Sequence, residues 1–223
     1  MKRKIKAIVF DLDDTLYSEN SFRKSGYGYV AKKLKNAGYP LTKQKITQLS
    51  KKYPQDLFDK LILLYKLPYK VSELINWYRY HIPQIVTYQG VPTLLKKLKR
   101  DYKIGLLTDY FYRSQLNKIK ALGIKKYFDG IVYTEKISAQ KPSAKGFELL
   151  KKRFHCSKNE IIYVGDNEIK DFSGANKSGY ITVKYNNNNG FYNHKLKSGK
   201  IHKAYLEVQN LKEIFAILTK LNQ

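Results

Sequence analysis

The first apolar stretch of the chain is Ile5, Ala7, Ile8, Val9 and Phe10, a nearly unbroken run that predicts a strand buried on both faces. From Gly90 onward, short runs of that kind alternate with stretches at helical spacing. Strands are predicted over residues 104–107, closing at Thr108, and over 130–133, 161–164 and 180–184. Helices are predicted over 91–100, 112–122, 143–154, the segment after Asp166 as far as Lys177, and 211–221. Such alternation predicts an α/β fold, a doubly wound, Rossmann-like parallel sheet.

Residues 20–88 break that rhythm and hold no comparable strand. Helical spacing returns in four pieces, 21–36 with Ser21 as its cap, 42–52, 54–66 and 72–81, separated by Gly38-Tyr39-Pro40, Pro68 and Pro83. Leu57, Leu61, Leu64 and Leu67 recur near one helical face, as do Leu74, Ile75, Tyr78 and Ile82, which predicts a small helical bundle. The segment is rich in tyrosine, and most such rings serve as packing. Gly26 and Gly28 fall inside the first predicted helix at a cost of about 1 kcal/mol each relative to alanine. Close packing, a kink or a backbone approach to a ligand would account for them.

Candidate chemistry gathers where the first strand ends. Asp11, Asp13 and Asp14 put three carboxylates into four positions, and ligands of open parallel sheets bind just beyond the carboxyl ends of the strands. Two like charges 4 Å apart repel by about 4 kcal/mol at an effective dielectric near 20, so a cation is expected among them. Mg²⁺ suits a set of carboxylate, carbonyl and phosphate oxygens. Other predicted strand ends also carry polar groups: Thr108-Asp109 after Leu106-Leu107, and Gly165-Asp166 with Asp171 five residues on. Gln140-Lys141-Pro142 precedes a predicted helix.

In that order the four pieces resemble the motifs of the haloacid dehalogenase superfamily: Asp11-Leu12-Asp13-Asp14-Thr15, Leu106-Leu107-Thr108-Asp109, Lys141 with Pro142, and Gly165-Asp166 with Asp171. Most members are Mg²⁺-dependent phosphatases. The resemblance implies a Rossmann-like core of residues 1–16 and 89–223 and a helical cap of 17–88 that closes over the site, hinged near 16–20 and 88–92. It implies Asp11 as the nucleophile that forms an aspartyl-phosphate and Asp13 as proton donor and acceptor, with an acidity weaker than that of a metal-bound Asp11. Mg²⁺ would be held by Asp11, the Asp13 carbonyl and Asp166, with Asp171 behind them or acting through water. Thr108, with the backbone amide of Asp109, would bind phosphoryl oxygens, and Lys141 would offset negative charge. Many relatives have asparagine where this chain has Asp109, which adds charge near the phosphate site. The dehalogenases that name the superfamily need no carboxylate at the second position, so Asp13 separates phosphoester hydrolysis from carbon–halogen cleavage.

Composition changes this picture little. The formal charge of +25 would ordinarily point to nucleic acid or an anionic membrane, but only six of the 43 basic residues are arginine and the lysines spread over nearly every predicted helix. No specific nucleic-acid partner is expected, and no apolar run approaches the roughly 18 residues of a membrane span. The opening lysines resemble a signal peptide only until Asp11 cuts the apolar stretch short. Cys156 is the single cysteine and no Cys/His cluster has zinc-ligand spacing, so a cytoplasmic protein is expected. Asn186–Asn189, Gly190 and the basic stretch to Lys203 read as a solvated loop. Within it, Ser198-Gly199-Lys200 lacks the first glycine and the final hydroxyl of a phosphate loop. The expected partner is a small phosphorylated metabolite, a sugar phosphate or nucleotide. A phosphomutase of the same superfamily and a non-catalytic basic binding protein are the competing readings.

Overall fold

The computed structural model describes residues 4–188, 190 and 202–223. The Ser198-Gly199-Lys200 stretch lies outside them.

Six strands form one parallel sheet: β1 (Ala7–Phe10), β2 (Lys103–Thr108), β3 (Gly130–Tyr133), β4 (Ile161–Gly165), β5 (Ile181–Tyr185) and β6 (Leu206–Val208). Their order is β3-β2-β1-β4-β5-β6, so β1 lies centrally between β2 and β4. The chain winds outward from β1 on one side and resumes on the other with β4. That reversal makes the β1/β4 boundary the crevice where ligands of such sheets bind. Register sets Phe10 opposite both Leu106 and Val164, which brings the ends of the three central strands to one rim.

Burial on both faces explains why β1 is continuously apolar. Ile8 and Phe10 join one core layer with Leu106, Ile162 and Val164, while Ala7 and Val9 join the opposite layer with Leu107, Ile161 and Tyr163. The first layer is closed by α5 (Val91–Leu98), α6 (Tyr112–Ala121) and α9 (Ile214–Asn222); the second by α7 (Lys145–Arg153) and α8 (Glu168–Lys177). The fold class is the one the apolar pattern predicts. β6 was not expected: three residues are too short for a periodic signal, and only pairing with β5 at Val183↔Leu206 defines it.

Between β1 and α5 lie α1 (Glu19–Asn36), α2 (Lys43–Lys52), α3 (Leu57–Tyr65) and α4 (Val71–Tyr80). They pack on a cluster of their own that includes Val30, Leu34, Ile46, Leu61 and Leu74. Leu64 and Ile82 are not part of it, being 54% and 83% exposed. α3 stops at Tyr65 as Lys66 turns left-handed (φ 47°), which leaves Leu64 on the outer side of the last turn. Past α4 the chain is extended, so Ile82 alternates outward between buried His81 and Pro83.

The start of α1 also differs from expectation. It begins two residues before Ser21, because Asp14, itself left-handed at φ 53°, accepts a hydrogen bond from the Glu19 amide at 2.8 Å. Gly26 is explained by packing, since a Cβ there would stand 2.6 Å from the Tyr78 ring, whereas Gly28 has only Lys43 at 3.5 Å. The two connections to these helices run side by side: Tyr17 bridges Thr87, and the Tyr88 amide donates to the Leu16 carbonyl at 3.0 Å. Asn187 departs from the solvated-loop expectation, because it is buried and donates to the Asp14 carbonyl and the Tyr88 hydroxyl, each at 2.7 Å.

Candidate active site

Asp11 is the residue after β1, and its amide donates to the Val164 carbonyl of β4 at 2.9 Å. Thr108 closes β2, and Asp166 follows Gly165 at the end of β4. Lys141 arrives from the segment before α7. Its ammonium lies 2.5 Å from Asp11 Oδ1, 2.7 Å from Asp171 Oδ1 and 3.2 Å from the Tyr163 hydroxyl. Asp171, in the first turn of α8, is held in turn by the Tyr163 hydroxyl at 2.8 Å and the Asn167 amide at 2.9 Å. Gly165 makes this approach feasible, since a Cβ there would fall 2.3 Å from Asp171 Oδ2.

Asp11, Asp13, Asp109, Lys141, Asp166 and Asp171 all line one small cavity that opens to solvent at the sheet rim. Oxygens of Asp11, Asp166 and Asp171 lie within 4.8 Å of one another. Burial pushes the Asp166 carboxyl well above its usual range, and Asp171 and Asp11 push it further. Three acids facing one buried ammonium leave a charge deficit that a hard divalent cation fits. The Asp13 side chain is held by a separate set of donors. Its Oδ1 accepts from Lys118 Nζ at 2.7 Å and from the Tyr17 hydroxyl, and its Oδ2 from Gln115 Nε2 at 2.9 Å.

In the metal-free chain Asp11 and Asp13 stand in the opposite order to the one expected with a cation on Asp11. Burial pushes Asp11 up to about 8 against the pull of Lys141, with Asp171 and Asp13 adding to the rise. Burial would raise Asp13 too, but Lys118 and the hydrogen bonds from Tyr17 and Gln115 hold it below the usual carboxylate range. Burial would lower Lys141, yet Asp11 and Asp171 keep it well above the ordinary lysine value.

Thr108 is fully buried and its hydroxyl has no hydrogen-bond partner among the described residues. An orphaned hydroxyl of that kind costs about 1–3 kcal/mol unless a ligand satisfies it. The Asp109 carboxylate accepts from the Lys141 amide at 3.0 Å, and its carbonyl accepts from Gln115 at 2.6 Å. Its extra charge is thus spent on placing the lysine-bearing segment.

Lys118, Gln115, Tyr17, Tyr163 and Glu19 were not anticipated. Glu19 lines the same cavity, and burial with the Asp13 charge pushes its carboxyl up to about 7. None of the tyrosines in the four-helix segment lines that cavity. Tyr27 stacks on Tyr78 with ring centroids 5.5 Å apart, and Tyr69 meets Trp77 edge-on.

The chain is similar to a glyceraldehyde 3-phosphate phosphatase of Methanocaldococcus jannaschii, 29% identical over 192 residues that cover 81% of this chain and 84% of that one. It is also similar to the pyrophosphatase PpaX of Listeria welshimeri, 26% identical over 178 residues, covering 75% and 77%. Its fold matches that of the HAD-hydrolase YfnB from Bacillus subtilis with a TM-score of 0.73 at 18% identity, covering 96% of this chain and 99% of that one. A profile of haloacid dehalogenase-like hydrolases matches residues 8–185, from β1, which Asp11 follows, to the end of β5. A match running through every element that carries a cavity carboxylate means that the chain belongs to the haloacid dehalogenase-like hydrolase family.

Proposed function

We propose that the protein is a Mg²⁺-dependent phosphatase of a small phosphorylated metabolite, with Asp11 as nucleophile. The observation that carries the reading is the presence of Asp13 on the same cavity as Asp11, because carbon–halogen cleavage has no need of that second carboxylate. A triose phosphate is the first substrate to try, given the glyceraldehyde 3-phosphate phosphatases among the relatives.

In this reading an Asp11 oxygen attacks phosphorus, an O–P bond forms, and the ester P–O bond opposite it breaks. Asp13 must be protonated for this step, against the three donors that hold it acidic in the metal-free chain, and it gives that proton to the departing oxygen. Asp13 then takes a proton from water as that water attacks phosphorus, which releases phosphate and returns Asp11 to a carboxylate. The Thr108 hydroxyl and the Asp109 amide donate to phosphoryl oxygens, and Lys141 offsets charge shared between Asp11 and the phosphoryl group. Asp11, Asp166 and the Asp13 carbonyl, with Asp171 behind them, would hold Mg²⁺, which supplies neutralisation of the carboxylate and phosphate charges. Residues 17–88 serve as the cap that excludes water from the core of 1–16 and 89–223. The half-buried Glu19 is the residue of 17–88 that lines the cavity. No helix among the described residues is long and apolar enough to cross a membrane, and with a single free cysteine the cytoplasm is the proposed location.

Purified protein should release phosphate from p-nitrophenyl phosphate and from glyceraldehyde 3-phosphate with Mg²⁺ and not with EDTA, and D11N should abolish turnover. Equal turnover by D11N, or activity indifferent to EDTA, would refute the reading.

A further inference from the structure

We infer that Lys118 is a positioning residue for Asp13, which it holds toward the cavity from the neighbouring helix α6. The inference rests on the phosphatase reading above, in which Asp13 exchanges a proton with the ester oxygen. Lys118 is 4% exposed, and a buried ammonium is retained only where it is paired. Its partner is Asp13, 105 positions earlier and 2.7 Å away. The Tyr17 hydroxyl shares the same carboxylate oxygen, while Gln115, one turn before Lys118 on α6, takes the other. Donors on both oxygens deny the carboxylate rotation about its last bond.

The clamp is itself seated by the four-helix segment. Lys118 Nζ lies 4.3 Å from the centroid of the Phe22 ring on α1. The adjacent Asn117 donates to the Tyr80 and His81 carbonyls at the end of α4, at 3.1 and 3.2 Å. One turn of α6 therefore touches both the four-helix segment and Asp13. The position of Asp13 is tied to the position of those helices.

A merely structural ion pair and a positioning pair differ in one readout. p-Nitrophenolate departs readily without a proton, whereas an alkoxide does not, so losing the set of Asp13 should slow alkyl esters selectively. General acid catalysis contributes about 10²–10⁴-fold. K118M should therefore lower kcat on glycerol 3-phosphate or glyceraldehyde 3-phosphate by about 10²-fold and on p-nitrophenyl phosphate by less than about fivefold, with KM little changed. Y17F, which removes one donor and keeps the ring, should show the same selectivity with a smaller loss, and it decides the matter if K118M does not fold. Equal losses on both esters, or no loss on either, would overturn the inference while leaving the phosphatase reading intact. A wild-type chain that hydrolyses neither ester would remove both.

Discussion

The ammonium of Lys141 lies 2.5 Å from the Asp11 carboxylate across 130 positions of sequence. Both groups are nearly buried, and the same ammonium reaches Asp171 at 2.7 Å. This contact joins the segment before α7 to the end of β1, and it makes the lysine at once a structural tie and the one cation paired with Asp11 and Asp171 among the described residues. K141M should lower turnover by about 10²–10³-fold, the usual loss when a fixed donor to transition-state charge is removed. It should also destabilise the chain by about 3–5 kcal/mol, since breaking a buried pair strands its partners. Phosphate release and urea denaturation at neutral pH check the two effects.

Thr108 offers the opposite combination. Its hydroxyl is buried with no partner among the described residues, so T108V exchanges an unsatisfied donor for a methyl group of nearly the same shape. Stability should stay level or rise by up to about 1 kcal/mol, because the desolvation cost of the orphan disappears. Turnover should fall by at least about tenfold once the phosphoryl oxygen loses that hydrogen bond. A thermal melt and a kinetic assay on one preparation read both changes.

The glycines of α1 should respond in opposite directions. G26A drives a methyl group to within 2.6 Å of the Tyr78 ring, which is packed against Tyr27 and Phe22. Overpacking of that kind costs about 1–3 kcal/mol. G28A meets only Lys43 at 3.5 Å and should stabilise the helix by about 0.5–1 kcal/mol. Urea midpoints of the two variants against the parent chain give the signs directly.

His81 makes stability pH-dependent. The ring is buried, accepts from or donates to Ser25 Oγ at 2.9 Å, and meets the Tyr78 carbonyl at 2.7 Å. Burial lowers its pKa from the ordinary value of 6.5, and Lys118 lowers it further against the opposing Tyr78 hydrogen bond. Above 6.5 the ring is neutral whether the chain is folded or not, so it adds no slope. Below 6.5 the unfolded chain takes up a proton that the folded chain resists, and stability falls as pH falls. Unfolding free energies measured from pH 7.5 to 5 should decline less steeply in H81Q than in the parent.

The parts of the molecule legible from sequence are those where chemistry and periodicity coincide. Residues 5–10 read as a buried strand because the apolar run is too short for a helix and rich in Ile and Val, and the acids that follow then stand at the sheet rim. The partners of Asp13 carried no such mark. Lys118 is one of 43 basic residues, spaced like its neighbours on a lysine-rich helix, and only the fold selects it for burial. Tyr17 and Gln115 are equally ordinary in isolation. The acidity of Asp13 in the metal-free chain was hidden by the same omission, since three donors around it outweigh its burial. Ser21 was a plausible cap by residue type, but Asp14 does that work from a left-handed turn whose geometry sequence pattern does not encode.

Everything proposed about turnover depends on Asp11 and Asp166 sharing one divalent cation with Asp171 close behind. Calorimetric titration of the metal-free chain with Mg²⁺, or with Mn²⁺ as a tighter-binding analogue, tests this without reference to activity. One ion per chain, with affinity lost by at least about tenfold in D166N and the fold unchanged by circular dichroism, is the predicted result. No binding, or binding that D166N leaves untouched, would contradict it.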